Sequence, residues 1–366
     1  MRVNSNEHGS CYVHDIRIAV PESSLRTSDA PRALAGTCIS RKGARLLERL
    51  APLTGIERRH LAILDFQMSL DQPDGLYGPA SEQPHGPGMT ARSAAFDSAS
   101  DRLLRQLLAR FPSSTLADVK ALITVSCTHA SSPGLERAVF EHARLSTQVH
   151  RWNLGFMGCS AALAAMRLVA SASGGMGESL IVACELSSLH FQYTDQADQM
   201  TANLLFADGA AGLILSTRPS AVRVVDCRCA ALPECADQMV WCAGDHGLAL
   251  RLARELPETL SAHLPSIIDR FLEENGMTRR SVRHWLVHPG GPQILDGVES
   301  CLGLAAGALN LSRDILRRYG NMSSPTILFI VEEFLKTRPE GTTVALAFGP
   351  GLTVEMALLE LTDARA

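Results

Sequence analysis

Cys159 stands at the first turn of an apolar, alanine-rich run in GFMGCSAALAAM (155–166). Glycines 155 and 158 let the backbone turn sharply just before it. Free amides and the dipole at a helix start favour the thiolate, which is the reactive form of cysteine. Taken alone, such a cysteine is better read as a buried core thiol. Three companions reverse that reading. His288 lies in VHPGGP, directly after a strand-like run, with two glycines that permit close backbone approach. An imidazolium beside Cys159 would stabilise its thiolate. Asn321 lies in RYGNMSSPT, where its amide could donate to a developing oxyanion or simply cap a helix. Phe206, in NLLFADGAA between two apolar runs, reads as core on its own.

An internal repeat positions these residues. In the first half a helical run (94–111) leads to a strand-like run KALITVSCTH (120–129), which ends at Cys127. In the second half a helical run (260–276) leads to SVRHWLVHPGG (281–291), which ends at His288. Cys159 follows Cys127 by 32 residues, and Asn321 follows His288 by 33. Each then begins a helix, and each helix is followed by a buried strand (178–186 and 341–349). Matching order and spacing predict a duplicated α/β unit. Strands alternating with amphipathic helices predict mostly parallel sheets covered on both faces. Two such units make a five-layer αβαβα sandwich with one shared site. The predicted boundaries are a disordered extension at 1–12, a half at 13–216 carrying the cysteine, and a half at 217–366 carrying His288 and Asn321. Residues 68–92, rich in Pro, Gly and Asp, are predicted to be a long loop.

Composition narrows the function. With 46% apolar and 20% charged residues the chain is ordinary for a globular protein. A net charge of -4 offers no basic field for nucleic acid. No apolar run reaches the ~18 residues of a membrane span. The N-terminus has no apolar stretch behind its charges, so a cytoplasmic protein is expected. Its ten cysteines are then expected to be reduced. Cys227, Cys229, Cys235 and Cys242 lack the paired knuckles of zinc sites, so buried thiols and no metal are expected.

Five motifs in order carry a resemblance: GFMGCSAA with Cys159, LLFADGAAGLIL with Phe206, HPGGPQILD with His288, YGNMSSPTILF with Asn321, and FGPGLTVE with Gly349 and Gly351. From about residue 13 onward the chain resembles the type III polyketide synthases, the chalcone synthase-like branch of the thiolase superfamily. The resemblance implies an acyl-CoA starter on Cys159. Malonyl-CoA is then decarboxylated against His288 and Asn321, and the carbanion attacks the Cys159 thioester. No metal or redox cofactor is implied. Phe206 would gate the passage between CoA tunnel and cavity. Cys127, His190, Leu250 and Ser323 would line the cavity, and Gly349, Pro350 and Gly351 would form the cyclisation-pocket loop. Arg49 best, and Arg58 next, would meet CoA phosphates, unless they are plain surface arginines. Gly290 and Gly291 would also flank the CoA. A homodimer is implied, in which the loop at 128–134 reaches the partner.

The chain also departs from that pattern. Cys127 and His190 stand where threonine is common, and Leu250 stands where plant enzymes carry a second gating phenylalanine. Ser160 and Ser132 replace bulkier or apolar residues. These changes argue against a flavonoid-type product and point to a fatty or small aliphatic starter, giving a pyrone or resorcinol. Three other readings stay open: a single-condensation ketoacyl synthase fed by an acyl carrier protein, a non-catalytic acyl-binding subunit, and a thioester hydrolase. A basic patch beside the tunnel would favour a carrier-protein donor. A hydrolase would need a base beside Cys159, and the sequence supplies no obvious one.

Overall fold

A computed structural model of the chain describes residues 10–62, 76–172 and 176–362. Its strands are β1 (Cys11–Ala19), β2 (Ser24–Arg26), β3 (Arg58–His60), β4 (Ala121–Ser126), β5 (His150–Gly155), β6 (Ser179–Leu186), β7 (Asp208–Ser216), β8 (Val222–Ala231), β9 (Met239–Gly244), β10 (Gly247–Leu252), β11 (His284–Val287), β12 (Gly341–Gly349) and β13 (Thr353–Leu361). Nine of them form one continuous sheet in the order β11-β12-β13-β8-β1-β7-β6-β4-β5.

The repeat is visible in the pairing. β4 runs parallel to β6, β6 antiparallel to β7, and β7 antiparallel to β1. The second half does the same: β11 parallel to β12, β12 antiparallel to β13, β13 antiparallel to β8. The two halves join where Cys11–Val13 of β1 pair with Val222–Val224 of β8. The expectation of mostly parallel sheets is therefore corrected. Each half closes on antiparallel strands: β13 follows β12 through a short turn, and β7 returns beside β6 after the helix Ala197–Leu205.

Three apolar cores account for five layers. The central one holds the helices Ala161–Ser171 and Pro325–Lys336 between the two halves of the sheet. The outer cores hold Met89–Leu108 with Glu136–Ala143 on one side, and Leu256–Glu274 with Pro292–Cys301 on the other. Strand alternation feeds both faces. Ile181 and Ala183 of β6 enter the central core, while Leu180, Val182 and Cys184 enter an outer one. Such two-sided burial is why these strands read as continuous apolar runs. The Ala161–Ser171 helix is lined with small residues because two sheets press on it; Ala161, Ala162 and Ala165 are fully buried.

Several boundaries move. Residues 1–9 lie outside the described residues, but Cys11 and Tyr12 belong to β1, so no extension reaches residue 12. Part of the predicted long loop (68–75) also lies outside them, and its far end is helical from Met89. Cys229 and Cys242 are exposed, which corrects the expectation of buried thiols there. Among the described residues, Cys235 lies with Glu234 and His263, not with the other three cysteines.

Candidate active site

Cys159 sits in a tight 3-10 turn, Gly158–Ser160, that feeds directly into the central helix Ala161–Ser171. The turn is wound tightly: Phe156 and Gly158 both have φ near +60°. A Cβ on Gly158 would lie 2.3 Å from Cδ of Pro350, so glycine is needed there on two counts. Gly349 presses on the same turn from behind. A Cβ there would meet the hydroxyl oxygen of Ser160 at 2.2 Å. The β12–β13 turn thus props up the nucleophile. Of Gly349, Pro350 and Gly351, only Pro350 reaches the cavity wall.

The opposite half supplies the companions. His288 follows β11 and is 1% exposed, yet among the described residues neither ring nitrogen has a hydrogen-bond partner. Buried polar atoms are nearly always paired, so a ring left open on a cavity wall is available to a ligand. Asn321 precedes the helix Pro325–Lys336. Its backbone is held by Leu205 and Ala207, and its Oδ1 accepts from the amide of Ser323 at 2.8 Å. That bond assigns the side-chain orientation and leaves Nδ2 as the free donor. Cys159 Sγ lies 4.0 Å from Asn321 Oδ1.

Electrostatics bear on the expected thiolate–imidazolium pair. Burial pushes the Cys159 thiol up to about 11; the nearby Glu185 adds to this, while Ser323 and Asn321 pull it back. Burial holds His288 down to about 3, so its ring is neutral. Desolvation thus works against both charged forms, the Cys159 thiolate and the His288 imidazolium, and opposes the helix-start amides.

These three residues line a single cavity of about 390 Å³. Phe206, Cys127, Leu250, Ser323, Gly290 and Gly291 line it too. Phe206 packs with Ala202, Leu250 and Trp241, its ring centroid 6.0 Å from that of Trp241. Cys127 is buried, and its sulfur accepts from the Gly158 amide at 3.0 Å, so it braces the nucleophile turn. His190 does not line the cavity. It is locked between the Thr128 carbonyl (2.9 Å) and the Leu248 amide (3.2 Å), which corrects its assignment as a pocket residue. Arg49 and Arg58 are exposed and off the cavity wall; Arg254 is on it. Next to Arg58, strand alternation turns Arg59 inward, where it donates to the carbonyls of Asn203 and Phe206 and so fixes the backbone of the gate.

Two residues escaped the sequence reading. Trp241 lines the cavity and donates to the Cys127 carbonyl at 3.1 Å. Glu185 is fully buried, and its carboxyl is pushed up to about 7 by burial. It takes bonds from the amides of Cys127 and Thr128 and from the hydroxyls of Ser126, Thr128 and Ser324. The signal was available: an acid inside the otherwise apolar run LIVACEL (180–186). With its oxygens occupied, Glu185 ties both halves together and is not a free base for a hydrolase.

Comparisons with known proteins place the chain in a family. The family profile described as chalcone and stilbene synthases, C-terminal domain, matches residues 225–362. The FAE1/type III polyketide synthase-like profile matches residues 74–231. A 3,5-dihydroxyphenylacetyl-CoA synthase of Streptomyces toyocaensis is 32% identical over 264 residues, covering 67% of each chain.

The chain belongs to the type III polyketide synthases.

An alpha-pyrone synthesis polyketide synthase-like protein of Mycobacterium tuberculosis is 29% identical over 67% of this chain, and the match spans 66% of that protein's length. A 1,3,6,8-tetrahydroxynaphthalene synthase of Streptomyces peucetius is 28% identical over 94% of the chain and 91% of its own. The fold matches that of a solved polyketide synthase of Ectocarpus siliculosus, with a TM-score of 0.88 at 24% identity over 98% of this chain and all of that one. Relatives in this polyketide synthase family are condensing acyltransferases. No helix among the described residues is long and apolar enough to cross a membrane.

Proposed function

We propose that the chain loads an acyl starter onto Cys159 and extends it with malonyl-CoA by decarboxylative Claisen condensation. One observation carries this reading: a nucleophilic sulfur from one half, and a free amide donor and an unpartnered imidazole from the other, face a single apolar cavity. Cys159 exchanges its proton for the acyl group of a phosphopantetheine thioester. Malonyl-CoA then places its thioester carbonyl against Asn321 Nδ2 and His288. Loss of CO2 leaves an electron pair on carbon, and the two donors stabilise its enolate oxygen. The carbanion attacks the Cys159 thioester, the C–S bond breaks, and the sulfur leaves as thiolate. The electrons come from the breaking carbon–carboxylate bond, so no resident cofactor is required.

Leu205, Met239, Leu250, Leu252 and Leu260 give the wall its apolar character, which supports an aliphatic starter and a pyrone or resorcinol product. The chain is proposed to act as a homodimer in the cytoplasm. β5 is an edge strand, and all its residues but one are exposed, whereas its neighbour β4 is buried throughout. Trp152 and Phe156 are exposed beside it. An edge of this kind is a template for pairing with a second copy. The test is mass spectrometry of protein and products with a panel of acyl-CoA starters and malonyl-CoA. A mass increase on Cys159 and a ketide product are expected; an adduct that persists in Cys159→Ala would overturn the assignment.

A further inference from the structure

The helix Arg41–Leu50 runs up to the cavity mouth, where Leu50, Leu53 and Thr54 line the opening. Arg41, Arg45 and Arg49 fall at i, i+4 and i+8, so they form one stripe along it, with Lys42 alongside. All four are exposed. Among the described residues none of them makes an ion pair. The arrangement is locally unfavourable. Like charges at i, i+4 repel, and two cations occupy the first turn, where the helix dipole disfavours them. Glu48 is the one acid on the helix. Asp195 sits at its start and is occupied by the amides of Ile39 and Ser40. Such a stripe is out of keeping with a chain of net charge -4. Two large apolar side chains flank it: Ile39, 65% exposed, and Leu53, 72% exposed, the most exposed of their kind among the described residues. Arg254 stands exposed on the cavity wall, also without an ion pair among the described residues.

We infer that this stripe, with Ile39 and Leu53, docks an acidic acyl carrier protein that delivers the starter to Cys159 on its phosphopantetheine arm. The inference rests on the condensing reading above. Phosphates of a free CoA would be met by cations at the mouth alone. Eight residues at ~1.5 Å each carry the stripe about 12 Å away from it. Exposed apolar residues at both ends suit a protein surface and not a nucleotide. Arg254 would meet the phosphate of the arm as it enters. Delivery is a transthioesterification. The Cys159 sulfur bonds to the acyl carbon, the bond to the phosphopantetheine sulfur breaks, and that sulfur takes the proton Cys159 gives up.

The test uses the full chain and its Arg41→Glu/Lys42→Glu/Arg45→Glu variant, which leaves Arg49, Arg254 and every cavity residue intact. One acyl group, chosen from the CoA starter panel, is offered on CoA and on a purified acidic acyl carrier protein. Acylation of Cys159 is timed by intact mass, and malonyl-CoA decarboxylation is measured in parallel. The variant should lose about tenfold or more with the carrier donor and under about twofold with the CoA donor. The carrier reaction alone should slow steeply with added salt. Equal losses on both donors would mean that the stripe serves CoA, and would overturn the inference. So would a carrier reaction that the variant leaves unchanged, or a carrier donor that never acylates wild-type Cys159. If neither protein decarboxylates malonyl-CoA or takes acyl groups from CoA, the condensing reading itself fails, and the docking inference falls with it.

Discussion

Cys159 is a thiol held high by burial, and that fixes how its reactivity must depend on pH. Below a pKa of about 11 the thiolate fraction rises roughly tenfold per pH unit. In the ligand-free protein, alkylation of Cys159 by iodoacetamide should therefore steepen in that way from about pH 7 to 9. A rate already flat by pH 7 would mean that a stable thiolate–imidazolium pair exists after all. His288 adds a stability effect of opposite reach. Its folded pKa is depressed, so folding is favoured above the unfolded value of about 6.5, and that contribution is lost as pH falls toward about 3. His288→Gln should flatten the fall in urea midpoint across this window, and an unaltered slope would show that the ring is not buried neutral. Asn321 should separate the half-reactions. Asn321→Ala should cut malonyl-CoA decarboxylation by about a hundredfold, the scale of losing one oxyanion donor, while starter loading changes far less. Equal loss in both would mean that Asn321 only holds the fold.

At the scale of elements, the nucleophile depends on a turn that only glycine can make. Gly158→Ala combines a left-handed backbone, costing about 1–2 kcal/mol, with a clash against Pro350. It should lower the melting temperature and slow Cys159 acylation together. A variant with normal stability but lost acylation would show that the turn matters for chemistry alone. The sequence exposed this element well, because reactive side chains sit in short motifs bracketed by glycine and followed by apolar helices. It exposed strand direction poorly. β7 and β13 have the same apolar character as the parallel strands, and nothing in a buried run says which way it points. His190 and Arg58 misled for a related reason. Position along the chain brings a residue near the cavity, but the local backbone decides which way it faces, so His190 became a strut and Arg59 turned inward in place of Arg58. Trp241 lies in the short β9–β10 hairpin, where no periodicity could mark it as cavity wall.

At the scale of the whole molecule, the exposed β5 edge makes assembly testable. If the proposed dimer forms through this edge, Trp152→Asp with Phe156→Asp should leave a monomer in sedimentation velocity; a dimer that persists would place the interface elsewhere. The five layers themselves were legible, because two helix-and-strand sets in the same order have few ways to bury both faces of their strands. The same repeat has a consequence for ancestry. Cys127 corresponds to His288, and Cys159 to Asn321, and all four face one cavity. The repeat-related positions therefore meet in one chamber. In a symmetric pair of unfused repeats, each position would have met its identical twin there. Fusion freed the twins to differ, so one copy could specialise in holding carbon and the other in making it nucleophilic. Cys127 is the member of that quartet left without a charge to stabilise, and its sulfur instead braces the turn that carries Cys159.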